Sequence, residues 1–383
     1  MRVFPTASLI RPDLQAHIFS SDLLVNVRAL RSLCAPGTKF CAVVKANAYG
    51  HGITEIVNVL RNGAADFFAV ASIYEAIHIA TLVKGIPILI FEPVHPSQGA
   101  DQIAACARNG FHCVLSGVEA FDFAASKLSG TSDVLPVHVN VETGMGRCGV
   151  MPAEAAELIR RIDRSGNFRL AGVFTHFATA DEEDLSYACR QLEVFGGFLR
   201  DNGLADRRDI LRHAANSAAT IKLPQAHFDM VRCGISMYGY YSRRMANPPV
   251  ALRPVMRLQA PMIQFKSLPA GHCVSYGASF ITQRPTRLAV IPLGYADGYW
   301  RCFSNRARMK VGSAFAPVVG RVCMDQVLID ITDIPDARLG GMATLIDNDH
   351  DSPCGAYALA DLAGTICYEI LTSVHGHVNR IVH

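Results

Sequence analysis

A lysine closing an apolar run is the residue in this chain best placed to do covalent chemistry. Lys45 ends FCAVVKA and is followed by ANAYGHG, a glycine-containing turn that lets backbone approach a ligand. By position alone such a lysine is more often an ion-pairing or phosphate-contacting group than a covalent one. Other polar residues recur at the ends of apolar runs: Ser72, Glu142, His176, Asn216 with Ser217, and Arg232. A second constellation invites a different chemistry. Gly144, Gly146 and Gly149 form G-x-G-x-x-G directly after VHVNV, with Asp163 near the distance of a ribose-binding acid. Asp163, however, lies in the helical stretch RRIDRSG, and the unit is fifth in its series rather than first. The glycine pattern alone is a weak signal, and we do not assign a dinucleotide site to it.

The elements that must position these residues can be read from the pattern. Eight candidate strands run through the first part of the chain: FCAVVKA (40–46), FFAVAS (67–72), IPILIF (86–91), HCVLS (112–116), VHVNVE (137–142), LAGVFTHF (170–177), ILRHAAN (210–216) and FDMVRCG (228–234). Most are continuous apolar runs, as expected of parallel strands covered on both faces. Amphipathic segments such as ITEIVNVLRNG, YEAIHIATLVKG and PAEAAELIRRIDRSG lie between them, with glycines at prospective C-caps. Eight such units predict an α/β fold with an N-terminal (β/α)8 barrel of the TIM type; an open doubly wound sheet is the competing arrangement. In a barrel, catalytic groups gather at the C-terminal ends of the strands, where these polar residues fall. After Pro248-Pro249 the texture becomes β-rich with interspersed Gly and Pro, so we expect a barrel over 1–250 and a mostly-β domain over 251–383.

Composition narrows the function classes. Half of the 383 residues are apolar and 18% are charged, which suits a large core and not a disordered chain. The net charge of +3, with no run of like charges, gives no electrostatic case for nucleic acid. The most apolar stretch, IPILIF, is far shorter than the ~20 residues a spanning helix needs. Pro5, Pro12 and Asp13 interrupt what a signal peptide would need as an apolar core, so a soluble, cytoplasmic protein without membrane partners is expected. None of the twelve cysteines forms a C-x-x-C pair, which favours free thiols over disulfides and argues against zinc; no metal site is expected.

The segment AVVKANAYGHG resembles the cofactor-lysine signature of alanine racemases, two-domain enzymes that use pyridoxal 5'-phosphate (PLP). The resemblance continues in order through ETGMGRCG, FTHFATAD, HAANSAA, VRCGISMYG, VSYGASF, IPLGYADGY, GRVCMDQ and CYEIL, over nearly the whole chain. It implies a homodimer with shared active sites that interconverts L- and D-alanine. Lys45 would carry PLP and act as the base on one face of the substrate Cα. Tyr276, supplied by the other subunit, would be the base on the opposite face. Arg232 would face the pyridine nitrogen, with His213 as its partner. Because a guanidinium does not readily release a proton, the cofactor would be a weaker electron sink, which limits side reactions. The phosphate would be held by Tyr49, Ser217 and Tyr368 with the backbone N–H groups of Gly234 and Ile235, and Asn216 would lie near the cofactor. His176 would support the tyrosine, although its position equally suits a satisfied barrel histidine. Arg147 would reach the cofactor phenolate and, with the Met324 backbone, the substrate carboxylate. Asp181, Tyr295, Arg301 and Arg321 would line the substrate's access route.

Two departures from the family pattern stand out. Many members carry a carbamylated lysine seven residues before the arginine matching Arg147, and here that residue is Asn140. A chloride ion beside Asn140 and Arg147 would restore the missing negative charge. The ending HGHVNRIVH also places His377 where an arginine is common. Serine or broad-specificity racemisation, a non-catalytic PLP-binding protein and a decarboxylase of the same general fold are the alternatives. The second-domain motifs VSYG and CMD argue against the binding protein, and the order and wording of the motifs argue against the decarboxylase.

Overall fold

The structure, a computed structural model, describes residues 10–245 and 247–383. The first described strand, β1 (Arg11–Ile18), precedes the eight strands anticipated from the sequence: β2 (Lys39–Val43), β3 (Phe67–Val70), β4 (Ile88–Pro93), β5 (His112–Leu115), β6 (Leu135–Asn140), β7 (Phe168–Phe174), β8 (Leu211–His213) and β9 (Met230–Cys233). These eight form one parallel sheet in the order β8-β7-β6-β5-β4-β3-β2-β9. Backbone bonds from Asp229 N–H to Arg212 O (3.0 Å) and Arg232 N–H to Ala215 O (2.9 Å) join its two ends into a barrel. The barrel, not the open sheet, is the architecture.

Helices cover the strands because their apolar residues repeat at helical spacing. In the helix Ile53–Leu60 the buried set is Ile53, Ile56, Val57 and Leu60. The helix Pro152–Asp163 starts with proline in its first turn, where a missing N–H costs nothing, and buries Ala155, Leu158, Ile159 and Ile162. Truncating a fully buried residue such as Leu60 to Ala would cost about 2–5 kcal/mol. The helices stop before the glycines expected to cap them. Arg61, Thr81 and Arg164, all in the right-handed region, occupy the C-cap positions, and the glycines lie in the loops beyond.

The second domain is mostly β. It contains β10 (Met256–Pro261), β11 (Gln264–Leu268), β12 (Cys273–Val274), β13 (Phe280–Ile281), β14 (Thr286–Ile291), β15 (Arg308–Val311), β16 (Ala314–Pro317), β17 (Val327–Asp330), β18 (Met342–Ile346) and β19 (Val378–Val382). Its main sheet has the order β16-β15-β18-β10-β1-β19. A boundary near residue 250 therefore does not follow the strand pairing. β1 runs antiparallel to β10 and parallel to β19, burying Leu14, Ala16 and Ile18 on alternate positions. No described helix is long and apolar enough to cross a membrane.

Candidate active site

β2 pairs with β9 in the register Cys41↔Arg232, so the strands leading to Lys45 and carrying Arg232 are neighbours. Ser72 caps the helix Ile73–Ala80 through a capping box with Glu75. That carboxylate also reaches across to the lysine loop, accepting from Ala46 N–H and Ala71 N–H, each at 2.7 Å. The turn it secures is unusual. Ala46, Asn47, Ala48 and Tyr49 all adopt left-handed backbone with φ of 53–54°, a conformation costing non-glycine residues roughly 1–2 kcal/mol each. Further ties come from the Asn47 side chain, which accepts from Ile53 N–H (2.8 Å), and from His51 Nδ1, which donates to Tyr49 O (2.9 Å). At Gly50 a Cβ would stand 2.0 Å from Leu371 O, so glycine permits the close approach of the helix Cys367–Thr372. That approach sets the rings of Tyr49 and Tyr368 6.0 Å apart.

These residues enclose a cavity of about 590 Å³ at the C-terminal end of the barrel. Lys45, Tyr49, Arg147, His176, Asn216, Ser217, Arg232, Gly234, Ile235 and Tyr368 all line it, together with Asn140, Phe91 and Phe174. At one end lie the Tyr49 and Tyr368 hydroxyls, Ser217 Oγ and the Gly234–Ile235 backbone. Asn216 caps the helix Ser217–Lys222 by accepting from Ala219 N–H, and Ser217 Oγ accepts from Gly234 N–H at 2.9 Å. A Cβ at residue 234 would come within 2.3 Å of the Tyr49 hydroxyl, so only glycine leaves this end open. The donor set suits a phosphate.

Arg232 is 3% exposed and, among the described residues, pairs with no carboxylate. Its Nη1 donates to His213 Nδ1 (2.9 Å), and its Nη2 donates to Thr175 O (2.9 Å), Ala214 O (3.1 Å) and His176 Nδ1 (3.2 Å). Burial pushes its guanidinium down to about 10, so it remains a cation at neutral pH. Burial, then the charges of Arg232 and Arg147, pushes His176 down to about 3, leaving a neutral ring. Because Nδ1 accepts from Arg232, the remaining Nε2 carries the proton. Lys45 is lowered chiefly by burial and further by Arg147, with Glu75 opposing, which favours the free amine.

Tyr276 and Met324 are not in this cavity. They stand 71% and 59% exposed on the second domain. Their segments share one surface: Ser275 Oγ donates to Arg321 O (2.7 Å), and Ala296 N–H donates to Met324 O (2.9 Å). Tyr295 and Arg321 belong to the same exposed surface, and Arg301 is also exposed. Asp181 lies instead beside the barrel mouth, where its carbonyl accepts from Lys222 Nζ.

The glycine-rich turn after β6 spends its donors internally. The N–H groups of Gly144, Met145 and Gly146 all donate to the Glu142 carboxylate. Burial would raise that carboxyl, and the backbone donors outweigh it. Asp163 pairs with Arg207 at 2.8 Å on the outside of the barrel. Sequence reasoning did not identify Glu75, Phe91 or Phe174, since nothing local marks a capping glutamate as a neighbour of residue 46.

Residues 18–242 match the family described as alanine racemase, N-terminal domain, and residues 255–382 match its C-terminal domain. The chain belongs to the alanine racemase family. Alanine racemase of Desulfosudis oleivorans is 38% identical over 93% of each chain, and that of Chlorobaculum tepidum is 38% identical over 97% of this chain and 96% of its own. Among solved structures, alanine racemase from Streptomyces lavendulae superposes with a TM-score of 0.88 at 32% identity, covering 97% of both chains. The biosynthetic alanine racemase from Pseudomonas aeruginosa gives 0.84 at 33% identity, over 97% of this chain and all of that one. The protein is thus an isomerase of the alanine racemase type.

Proposed function

We propose that the protein interconverts L- and D-alanine by a two-base reaction, as a PLP-dependent homodimer in which each cavity is completed by a second copy. The observation that carries this reading is the placing of Lys45, Arg232 and the Tyr49–Ser217–Gly234 cradle around one cavity. The cradle fits a phosphate, and the cavity is large enough for a pyridine ring with a small amino acid. When bound, PLP supplies the electron sink that acidifies the substrate Cα–H.

The protein's own groups divide the remaining work. Lys45 Nζ takes or returns the proton on one face of Cα, helped by a burial that favours its neutral form. Tyr276 of the partner subunit does the same on the other face, and the His176 Nε2–H is free to donate toward that oxygen. Arg232 keeps its proton and holds the pyridine nitrogen by donation alone. Arg147 and the backbone of Met324 of the partner subunit orient the substrate carboxylate. The exposure of Tyr276 and Met324 on one surface of the single chain supports a shared site.

Asn140 gives a specific reason to extend the reading. Among the described residues no carboxylate lies within ion-pairing distance of the Arg147 guanidinium, and the neutral Asn140 amide lines the same wall. A chloride ion between them would supply the anion that positions Arg147. Alanine KM measured against chloride at constant ionic strength should fall as chloride is added, and indifference would remove the ion from the reading. Asn140 also keeps serine as a competing substrate.

The deciding experiment follows solvent deuterium into Cα of L-alanine and L-serine with the PLP-loaded enzyme. Exchange with enantiomer interconversion, crippled in Tyr276→Phe, supports the proposal, and the ratio of the two rates assigns the substrate. Cofactor binding without exchange on either amino acid would overturn it.

A further inference from the structure

Behind Arg232 a row of imidazoles crosses the barrel. His213 closes β8, His138 lies on β6 and His112 opens β5, and their successive ring nitrogens stand 2.8 Å apart. His138 and His213 are fully buried, and His112 is 7% exposed. β7 runs between β6 and β8, and the row crosses it at Gly172, the ladder partner of His138. A Cβ there would sit 2.4 Å from His138 Nδ1, so glycine at this position makes room for the bond to His213. His112 reaches an open cavity of about 430 Å³ beside Pro87 and Gly110, at the barrel end opposite Lys45.

Arg232 can only donate, and this fixes every proton in the row. His213 Nδ1 must accept, so its Nε2–H donates to His138 Nδ1. The His138 Nε2–H then donates to His112 Nδ1, which leaves the last N–H on His112 Nε2. We propose that His138 and His112 are positioning residues that, through His213, hold Arg232 in one orientation by a neutral, one-directional chain of hydrogen bonds. Their part in catalysis rests on the reading of Arg232 as the residue facing the cofactor. The direction of the chain does not.

The surroundings keep the row neutral. The charged groups acting on the three rings are Arg169 and Arg232, both cations, and both oppose protonation together with burial. Without His138, the His213 ring can take either tautomer, and one of the two turns an N–H against the arginine.

The test is imidazole ¹⁵N NMR on histidine-labelled protein with and without PLP, assigned by single variants, beside kinetics on alanine. In the wild type, all three rings should show the Nε2–H tautomer and no titration at neutral pH. His138→Phe should cost His213 its single tautomer and shift the visible absorption of the PLP-loaded enzyme. It should also lower kcat about tenfold with little change in KM, as expected when a group at the reacting centre loses its orientation. An Nδ1–H tautomer or a charged ring in the wild-type row would overturn the proposal. So would a folded, PLP-loaded His138→Phe enzyme with unchanged His213 signals and kcat. If that variant does not fold, His112→Phe at the row's end must move the His138 and His213 signals, and unmoved signals would overturn it equally. A correctly directed row in a wild type that racemises nothing would instead count against the proposed function.

Discussion

The barrel mouth and the exposed face of the second domain are built on opposite terms. At the mouth, Arg232 is wrapped in acceptors, Glu75 ties down the lysine loop, and burial moves the charges of Lys45 and His176. On the second domain, Tyr276 stands in the open with Met324 and Tyr295 nearby. The first region is organised by its own chain. The second presents its side chains to solvent in the single chain, which fits the proposed pairing with a second copy. The contrast locates where substitutions should act on chemistry, on folding or on assembly.

The sharpest test removes the base from each side. Under the proposed mechanism, Lys45→Ala should lower racemisation by about 10⁴-fold or more, because it would remove both a base and the cofactor's attachment. Tyr276→Phe should cost about 10²- to 10⁴-fold, with PLP binding and thermal midpoint unchanged. Equal destabilisation by the two variants in a melt would break the comparison.

Next in size is Arg232→Leu, which strips the donor from His213 Nδ1 and from the Thr175 and Ala214 carbonyls. Denaturant titration should show a loss of about 3 kcal/mol, the order expected when buried acceptors lose their partner. Glu75→Ala should cost about 2 kcal/mol by releasing Ala46 and Ala71 N–H, and should weaken PLP binding measured by absorption. Acid should act on the barrel interior. His112, His138, His176 and His213 all have folded values depressed by burial, to about 4 for His112 and about 3 for His176. The unfolded chain therefore takes up protons below about 6.5 that the folded chain refuses, and stability must fall as pH drops from there toward 4. A flat urea midpoint over that window would contradict it. The smallest effect belongs to the outer surface: Asp163→Asn, which breaks an exposed pair with Arg207, should change stability by less than about 0.5 kcal/mol.

The sequence disclosed the eight barrel strands because each is a short apolar run bounded by turn residues, a purely local signal. It also placed Lys45 and Arg232 at strand ends, where a barrel gathers chemistry. β1 escaped the reading because its evidence is distant. RPDLQAHI contains a proline and only alternate buried residues, and its partners β10 and β19 lie beyond the whole barrel. The left-handed turn after Lys45 was equally hidden, since Ala46 to Tyr49 include no glycine to announce a positive φ. His138 sits inside the apolar run VHVNV, where nothing local distinguishes a linked imidazole from an isolated one.

The position of β1 has a consequence in time. Synthesis delivers β1 before the barrel, yet its neighbours in the sheet are residues 256–261 and 378–382. The barrel can fold while the chain is still growing, and β1 must wait, its hydrogen-bonding edges unpaired, until translation is nearly finished. The sheet of the second domain is therefore completed last. A chain that ends before the helix Cys367–Thr372 lacks Tyr368, which lines the barrel cavity, as well as β19, so cavity and second-domain sheet alike become whole only at the end of the protein's making.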